Sequence, residues 1–200
     1  YSAEGELCGD TVKIINDNKG HSILIISDGM GKGSRAALDG AMGAGLLSKL
    51  INSGFGFDSA LKIVNSALLV KSNDESLATL DIANIDLFTG KCELFKAGAP
   101  ASYIIKDGRL TKCELTSMPA GILRGIEFAK RTAVLSLGDS IILMSDGITD
   151  LGERWLKDII SGMPQGVQEG ADYILDCAKE EMKNKKADDM SIIFARLERN

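Results

Sequence analysis

Two short apolar runs, "ILII" at residues 23–26 and "IILM" at residues 141–144, each lead directly into Ser-Asp-Gly. A short run of large apolar residues is typical of a strand that is buried on both faces. Apolar residues at helical spacing predict helices in other parts of the chain. One helix is predicted from Ser34 to Leu50, a second is expected to be capped by Asp58 or Ser59, and at least one more precedes the C-terminus.

The centre of the chain carries hairpin signals instead. "FTG" at residues 88–90 separates two strand-like runs, and Asp107-Gly108 separates two more. Further strands are predicted at residues 12–15, on both sides of Gly138-Asp139, and at residues 191–197. Because hairpins outnumber βαβ units, the sequence predicts an α+β fold. We expect a four-layer α/β/β/α sandwich of two packed antiparallel sheets flanked by helices.

Composition narrows the class of protein. The 200 residues are 44% hydrophobic, which predicts one folded domain over residues 1–200. The first residues, "YSAEGELCGD", include no initiator Met, so we expect the domain to be excised from a longer chain, and a membrane anchor in that parent chain is left open. A net charge of −5 argues against nucleic acid as a partner and against direct membrane contact. Four scattered cysteines and one histidine exclude a disulfide framework and a Cys/His zinc site, and they favour a cytoplasmic location. A homodimer is left open.

Four aspartates mark the candidate chemistry: Asp10, Asp28, Asp146 and Asp188. Each is predicted at the end of a strand beside a small or polar residue. Carboxylates that converge in one cleft repel one another unless cations lie between them, and hard oxygen ligands favour Mg²⁺ or Mn²⁺. A single Ser-Asp-Gly is also ordinary turn chemistry, in which glycine supplies a positive φ. The repetition of the tripeptide favours the metal site.

Two other functions are compatible with parts of this sequence. Gly31-x-Gly33-x-x-Ala36 meets a loose dinucleotide pattern, but that pattern needs a strand after the helix, and the next element is predicted to be a second helix. The domain could instead be a non-catalytic module that binds cations or docks a partner.

The order of several blocks resembles one family. "CGD", "SDGMGKG", "LATLDIANIDLFTGKCELFKAGAP", "MPAGIL", "LGDSIILMSDGITD" and "DDMSIIF" follow one another as they do in the metal-dependent (type 2C-like, PPM) protein phosphatases. The resemblance covers nearly the whole chain. It implies a β-sandwich flanked by helices, in agreement with the pattern of strands and helices. The family normally has a further strand before the "GD" aspartate, so the resemblance implies that the N-terminal strand is truncated here. Degenerate members of the family tend to lose the aspartates, so retention of all four favours catalysis over the non-catalytic module.

The resemblance also assigns roles to residues. It implies that Asp28 bridges two ions of Mn²⁺ or Mg²⁺, that the carbonyl of Gly29 binds one of them, and that Asp146 and Asp188 bind the other. Asp10 is expected to join the cluster directly or through water. Asp189 stands where many relatives carry Asn and is expected to support the ligands, and Lys32 flanks the site without an assigned role.

The implied activity is hydrolysis of phosphoserine or phosphothreonine by a metal-activated water. Asp28 and Asp146 would act through that water, since bound ions lower its pKa and neutralise the phosphate oxygens. The branch of the family with the most similar blocks acts in sporulation. It implies a phosphorylated anti-anti-sigma factor as the substrate and activation of a sigma factor as the result.

The first helix contains three glycines: Gly40, Gly43 and Gly45. Each glycine weakens a helix by about 1 kcal/mol relative to alanine. Because this helix follows the Asp28-Gly29 corner, we hypothesise that it is a regulated element whose packing decides whether Gly29 faces the metal. The alternative is that the glycines allow close packing.

Overall fold

The computed structural model describes residues 1–3, 7–17, 19–31, 33–71, 77–183 and 188–199. Within these residues the chain forms nine strands: Asp10–Asn16 (β1), His21–Gly29 (β2), Ala78–Asp86 (β3), Lys91–Ala97 (β4), Ser102–Lys106 (β5), Arg109–Cys113 (β6), Ala129–Val134 (β7), Ser140–Met144 (β8) and Ile192–Arg196 (β9). The helices over the same residues are Gly33–Asn52 (α1), Phe57–Lys71 (α2), Asp146–Thr149 (α3), Glu153–Gly162 (α4) and Val167–Met182 (α5).

The strands form two antiparallel sheets, as predicted. One has the order β1-β2-β3-β4-β7 and the other the order β6-β5-β8-β9. Both predicted hairpins are present. In the turn between β5 and β6, Asp107 and Gly108 both have positive φ, 49° and 72°, as a two-residue hairpin turn requires. Asp86 accepts hydrogen bonds from the amides of Phe88 and Thr89 in the turn between β3 and β4.

Three apolar clusters separate four layers. Leu24, Ile26, Leu94, Ile141 and Leu143 belong to the cluster between the two sheets. A second cluster lies between the larger sheet and the helices α1 and α2, and a third lies between the smaller sheet and α3, α4 and α5. Burial of apolar surface on both faces of each sheet is the main stabilising contribution to this arrangement. The α/β/β/α sandwich predicted from the sequence is confirmed.

Several element boundaries differ from the prediction. β1 and β2 extend beyond residues 12–15 and 23–26, because each backbone continues to find hydrogen-bond partners in a neighbouring strand. The predicted cap of α2 at Asp58 or Ser59 is wrong: the helix begins at Phe57, whose ring stacks on Phe95 at 5.2 Å between centroids. β7 and β8 flank Gly138-Asp139 but join different sheets.

Two further features concern the dinucleotide-binding pattern and the membrane. α1 is followed by α2 and not by a strand, so the glycines at residues 31 and 33 lack the context of a dinucleotide-binding unit. Among the described residues, no helix is both long enough and apolar enough to cross a membrane.

Candidate metal centre

Asp10 and Asp28 face each other across the first two strands of the larger sheet. They are register partners in the β1–β2 ladder. Side chains alternate along a strand, so Asp28 points to the same side of the sheet as Leu24 and Ile26, which is the side that faces the second sheet. Asp10 is 9% exposed and Asp28 is partly exposed. Both carboxylates therefore lie at one end of the space between the sheets.

The smaller sheet brings two more aspartates to the same end. Asp146 is the first residue of α3 and comes directly after Ser145, which follows β8. Asp188 lies four residues before β9, is exposed, and accepts a hydrogen bond from the amide of Asp189 at 2.9 Å. Because β8 and β9 are neighbours in the sheet, residues distant in the sequence meet here.

The charges of these residues are coupled. Burial and the charges of Asp10, Asp146, Asp188 and Asp189 raise the pKa of Asp28 from 3.8 to about 8. Burial and the charge of Asp188 also raise the pKa of Asp146. The four predicted ligands therefore share one electrostatic environment.

Two serine hydroxyl groups affect the charge of Asp10. Burial raises the pKa of Asp10, and hydrogen bonds from Ser145 and Ser191 oppose that rise. One of its carboxylate oxygens, Oδ2, is buried and has no hydrogen-bond partner among the described residues. A buried carboxylate oxygen without a partner is costly unless a cation or a proton satisfies it.

The oxygen atoms gathered here are of the type that binds a hard divalent cation. A Cβ built at Gly9 would lie 3.4 Å from each of three oxygens: Oδ1 of Asp28, the carbonyl of Gly29 and Oδ2 of Asp189. Carboxylate and carbonyl oxygens are the ligands that Mg²⁺ and Mn²⁺ prefer. Over the described part of the chain, no three His, Cys, Asp or Glu side chains already form a cluster that could hold one ion. The carboxylates thus share a cleft but must rotate toward one another to bind an ion together.

Asp189 connects the cleft to the N-terminal segment. Its carboxylate accepts hydrogen bonds from the amides of Ala3 at 2.8 Å and Gly9 at 2.5 Å. These contacts fix the backbone immediately before Asp10. The supporting role predicted for Asp189 remains a prediction, and these hydrogen bonds are consistent with it.

The two Ser-Asp-Gly glycines are explained by close packing. Neither Gly29 nor Gly147 has a positive φ, so the turn interpretation of the tripeptide is wrong at both places. A Cβ at Gly29 would lie 1.8 Å from the carbonyl oxygen of Ala36 in α1, and one at Gly147 would lie 2.2 Å from the carbonyl oxygen of Asp189. Glycine is required because another backbone approaches each aspartate corner closely.

The other predicted residues have different outcomes. Gly40 and Gly43 are buried against the strands, and a Cβ on either would approach a neighbouring atom within 3.0 Å. Gly45 has no atom within 4 Å of such a Cβ, so close packing does not explain it. Lys32 lies outside the described residues. Whether α1 is a regulated element stays a prediction.

Sequence reasoning missed the residues around the aspartates. Ser145 and Ser191 were not singled out, because hydroxyl residues near strand ends are common. A cavity of about 160 Å³ borders Asp28 and Asp146 and is also lined by Asp81. Asp81 interrupts the apolar run of β3, and a buried charge in such a run could have been noticed from the sequence.

Comparison with solved structures defines the class of protein. A structure of the PP2C phosphatase domain and a fragment of the regulatory domain of the cell fate determinant SpoIIE from Bacillus subtilis matches with a TM-score of 0.90 and 29% identity. The match covers 100% of this chain and 60% of that chain. A crystal structure of RsbX in complex with magnesium has the same fold, with a TM-score of 0.76 and 20% identity over 98% of this chain and 92% of that chain. The chain is a PP2C-type protein phosphatase domain.

Sequence comparison gives the particular family. The family model for stage II sporulation protein E matches residues 18–198. Stage II sporulation protein E of Priestia megaterium is 32% identical over 203 residues, which cover 98% of this chain and 35% of that protein. The chain belongs to the stage II sporulation protein E family and spans about a third of the length of this curated relative. The resemblance found in the sequence is confirmed.

Proposed function

We propose that this domain hydrolyses phosphoserine on a protein substrate and that the reaction depends on two divalent ions, Mn²⁺ or Mg²⁺. The observation that carries the proposal is the convergence of aspartates from both sheets in one cleft, where burial and mutual repulsion raise the pKa of Asp28 to about 8. Burial with mutual repulsion is the electrostatic signature expected of carboxylates that bind a cation.

The proposed ligands divide between the two sheets. Asp28 and the carbonyl of Gly29 would hold one ion, Asp146 and Asp188 would hold the other with Asp28 shared between them, and Asp10 would complete the cluster. Bound ions of this kind supply an activated water as nucleophile and neutralise charge on the phosphate oxygens.

The residues of the protein itself set the protonation of the carboxylates and the shape of the cleft. Hydrogen bonding from Ser145 and Ser191 favours the charged form of the Asp10 carboxylate and so lowers its pKa. Without a cation, Asp28 holds a proton near neutral pH, because its pKa is raised to about 8. Asp28 must lose that proton before its carboxylate can hold a cation, so we expect metal binding to strengthen as the pH rises toward 8. Gly29 lets the backbone of α1 approach the corner that follows Asp28 closely.

For the substrate we propose a phosphorylated anti-anti-sigma factor, whose dephosphorylation would promote activation of a sigma factor in sporulation. Membership of the stage II sporulation protein E family supports this substrate. The cleft is open to the surface at Asp188, as a site for a phosphoserine on another protein must be.

The test is release of phosphate from a phosphoserine anti-anti-sigma protein with and without Mn²⁺, with an unrelated phosphoprotein as the comparison. We expect Mn²⁺-dependent release that is faster from the anti-anti-sigma protein, and we expect Asp28→Asn to abolish it. Asp158→Asn, which changes an exposed aspartate in α4, is the matched control and should retain full activity. Mn²⁺ binding without any hydrolysis would instead support the non-catalytic module. Equal activity of the Asp28→Asn variant and the wild type would refute the proposed site.

A further inference from the structure

A lysine is fully buried next to the aspartate cleft. Lys96, in β4, is 0% exposed, and lysine is almost never buried to this extent unless it is paired. Its Nζ lies 2.7 Å from Oδ1 of Asp81, in ion-pair contact without the alignment of a hydrogen bond. Nζ also donates hydrogen bonds to Oγ of Ser102 at 2.7 Å and to the carbonyl of Pro100 at 2.5 Å. Oγ of Ser102 in turn donates to Oδ2 of Asp81 at 2.8 Å.

The register of the sheet places this network beside the cleft. Asp81 pairs with Ile26 in β2 on one side and with Lys96 in β4 on the other. Ile26 precedes Asp28 by two residues, so Asp81 and Asp28 are diagonal neighbours on the same face, with Cα atoms about 7–8 Å apart by ordinary sheet geometry. Burial raises the pKa of Asp81, while Lys96 and Ser102 oppose that rise.

The carbonyl that Lys96 holds belongs to a wall of the cavity. Residues 98–100 follow β4 and line the cavity of about 160 Å³ that also borders Asp28 and Asp146. A cavity of this size accepts a group as large as one side chain, since roughly 150 Å³ accommodates benzene.

The two ends of this wall are held by different contacts. At one end, the amide of Gly98 donates to Oγ of Ser117 at 3.1 Å, and Gly98 also forms a bridge with Leu80. At the other end, the carbonyl of Pro100 accepts from Lys96. Pro100 has no amide hydrogen of its own, so its carbonyl is the only backbone group with which it can form a hydrogen bond.

We propose that Lys96 is a positioning residue: bound to Asp81 and Ser102, it holds the carbonyl of Pro100 so that residues 98–100 form a fixed wall of a substrate cavity beside Asp28 and Asp146. The inference rests on the proposed phosphatase function and adds a residue to it. Displacement of about 1 Å in a positioning group can lower a rate about 100-fold.

The test separates positioning from stability. Lys96→Met alone leaves Asp81 as an uncompensated buried charge and is expected to destabilise the protein. The triple variant Lys96→Met/Asp81→Leu/Ser102→Ala replaces the whole network with apolar groups, a change that is often neutral for stability. Lys91→Met is the matched control, because Lys91 is an exposed lysine of the same strand.

We expect the triple variant to unfold at a wild-type Tm but to show kcat/KM for a phosphoserine peptide reduced at least tenfold with Mn²⁺. The Lys91→Met variant should match the wild type in both respects. If the triple variant has a wild-type Tm and its kcat/KM lies within twofold of the wild-type value, Lys96 is only structural and the proposal is overturned. If the triple variant does not fold, Ser102→Ala alone takes its place, with a loss of at least threefold expected and no loss overturning the proposal.

Hydrogen exchange gives a readout that does not need activity. In the metal-free triple variant, or in Ser102→Ala if that variant takes its place, we expect the amides of Ala99 and Ala101 to exchange at least tenfold faster, while the hairpin at residues 107–108 keeps its wild-type rate. An unchanged rate at Ala99 and Ala101 overturns the proposal. A wild-type protein without Mn²⁺-dependent hydrolysis would contradict the proposed function, and the exchange rates would still decide whether Lys96 fixes the wall.

Discussion

Replacement of Gly40 by alanine tests how closely helix α1 must approach the aspartate corner. A Cβ at Gly40 would lie 2.2 Å from the carbonyl oxygen of Gly9 and 3.1 Å from the amide nitrogen of Gly29. Relief of the first contact requires α1 to move by about 1 Å, and overpacking of this kind typically costs about 1–3 kcal/mol. Alanine in place of glycine stabilises the helix itself by about 1 kcal/mol, which offsets part of that cost.

Gly45 in the same helix supplies the matched control. Apart from the backbone of α1 itself, no atom of the described residues lies within 4 Å of a Cβ at that position, so Gly45→Ala should raise the free energy of unfolding by about 1 kcal/mol. The difference between the two variants isolates the clash at Gly40, and we expect it to be about 1–3 kcal/mol in urea denaturation.

Activity should follow the displacement. Because Gly9 and Gly29 flank the proposed ligands, a shift of about 1 Å should lower Mn²⁺-dependent phosphate release about 100-fold in Gly40→Ala and leave Gly45→Ala unaffected. The contacts of Gly40 therefore lead us to expect a loss of both stability and activity. If Gly40→Ala equals Gly45→Ala in stability and in turnover, the close approach is not required and the reasoning is refuted.

Three other variants test separate parts of the structure. The free energy of unfolding of the metal-free wild-type protein should decrease as the pH rises from 3.8 to about 8, because folded Asp28 binds an extra proton in that range. Asp28→Asn should make this decrease smaller, although Asp10 and Asp146, whose pKa values are also raised, still contribute to it. Urea titrations in chelator at pH 5 and pH 8 measure the decrease, and an unchanged decrease in the variant would contradict the prediction. Lys71→Met leaves the buried carboxylate of Asp39 without its ion-pair partner and should lower the free energy of unfolding by about 2–3 kcal/mol in urea denaturation. Lys49→Met is the control, and an equal decrease in the two variants would contradict the prediction. Asn65→Ala removes two hydrogen bonds: Oδ1 of Asn65 accepts from the amide of Gly121 at 2.8 Å, and Nδ2 of Asn65 donates to the carbonyl of Leu123 at 2.9 Å. Their loss should lower the free energy of unfolding by about 2 kcal/mol in urea denaturation. Wild-type stability of the variant would show that these bonds do not stabilise the segment at residues 121–123.

The layers of the fold could be predicted because they depend on local patterns. Apolar runs, hairpin turns such as Asp107-Gly108, and helical periodicity each leave a signal within a few residues. The start of α2 at Phe57 was not predicted in the same way. The ring of Phe57 stacks on Phe95, 38 positions away in the sequence, and a contact between residues so far apart leaves no local signal. Strand ends were likewise set by pairing with neighbouring strands.

The sequence predicts the aspartates of the candidate site but not the residues that hold the surrounding structure in place. Asp10, Asp28, Asp146 and Asp188 stand out because charged residues next to apolar runs need an explanation. Lys96 does not stand out, since a lysine near the end of a strand is usually exposed. Only the three-dimensional register, which places Lys96 opposite Asp81, reveals that its charge is buried.

The central claim is that aspartates from two sheets bind divalent ions together. The most direct measurement is anomalous diffraction from crystals of this domain grown with Mn²⁺. We predict Mn²⁺ peaks in the cleft, bonded to Asp28 and to at least two of the carboxylates of Asp10, Asp146 and Asp188, and no such peaks in the Asp28→Asn variant. Crystals that contain Mn²⁺ only at other surfaces, with the four carboxylates still apart, would contradict the account.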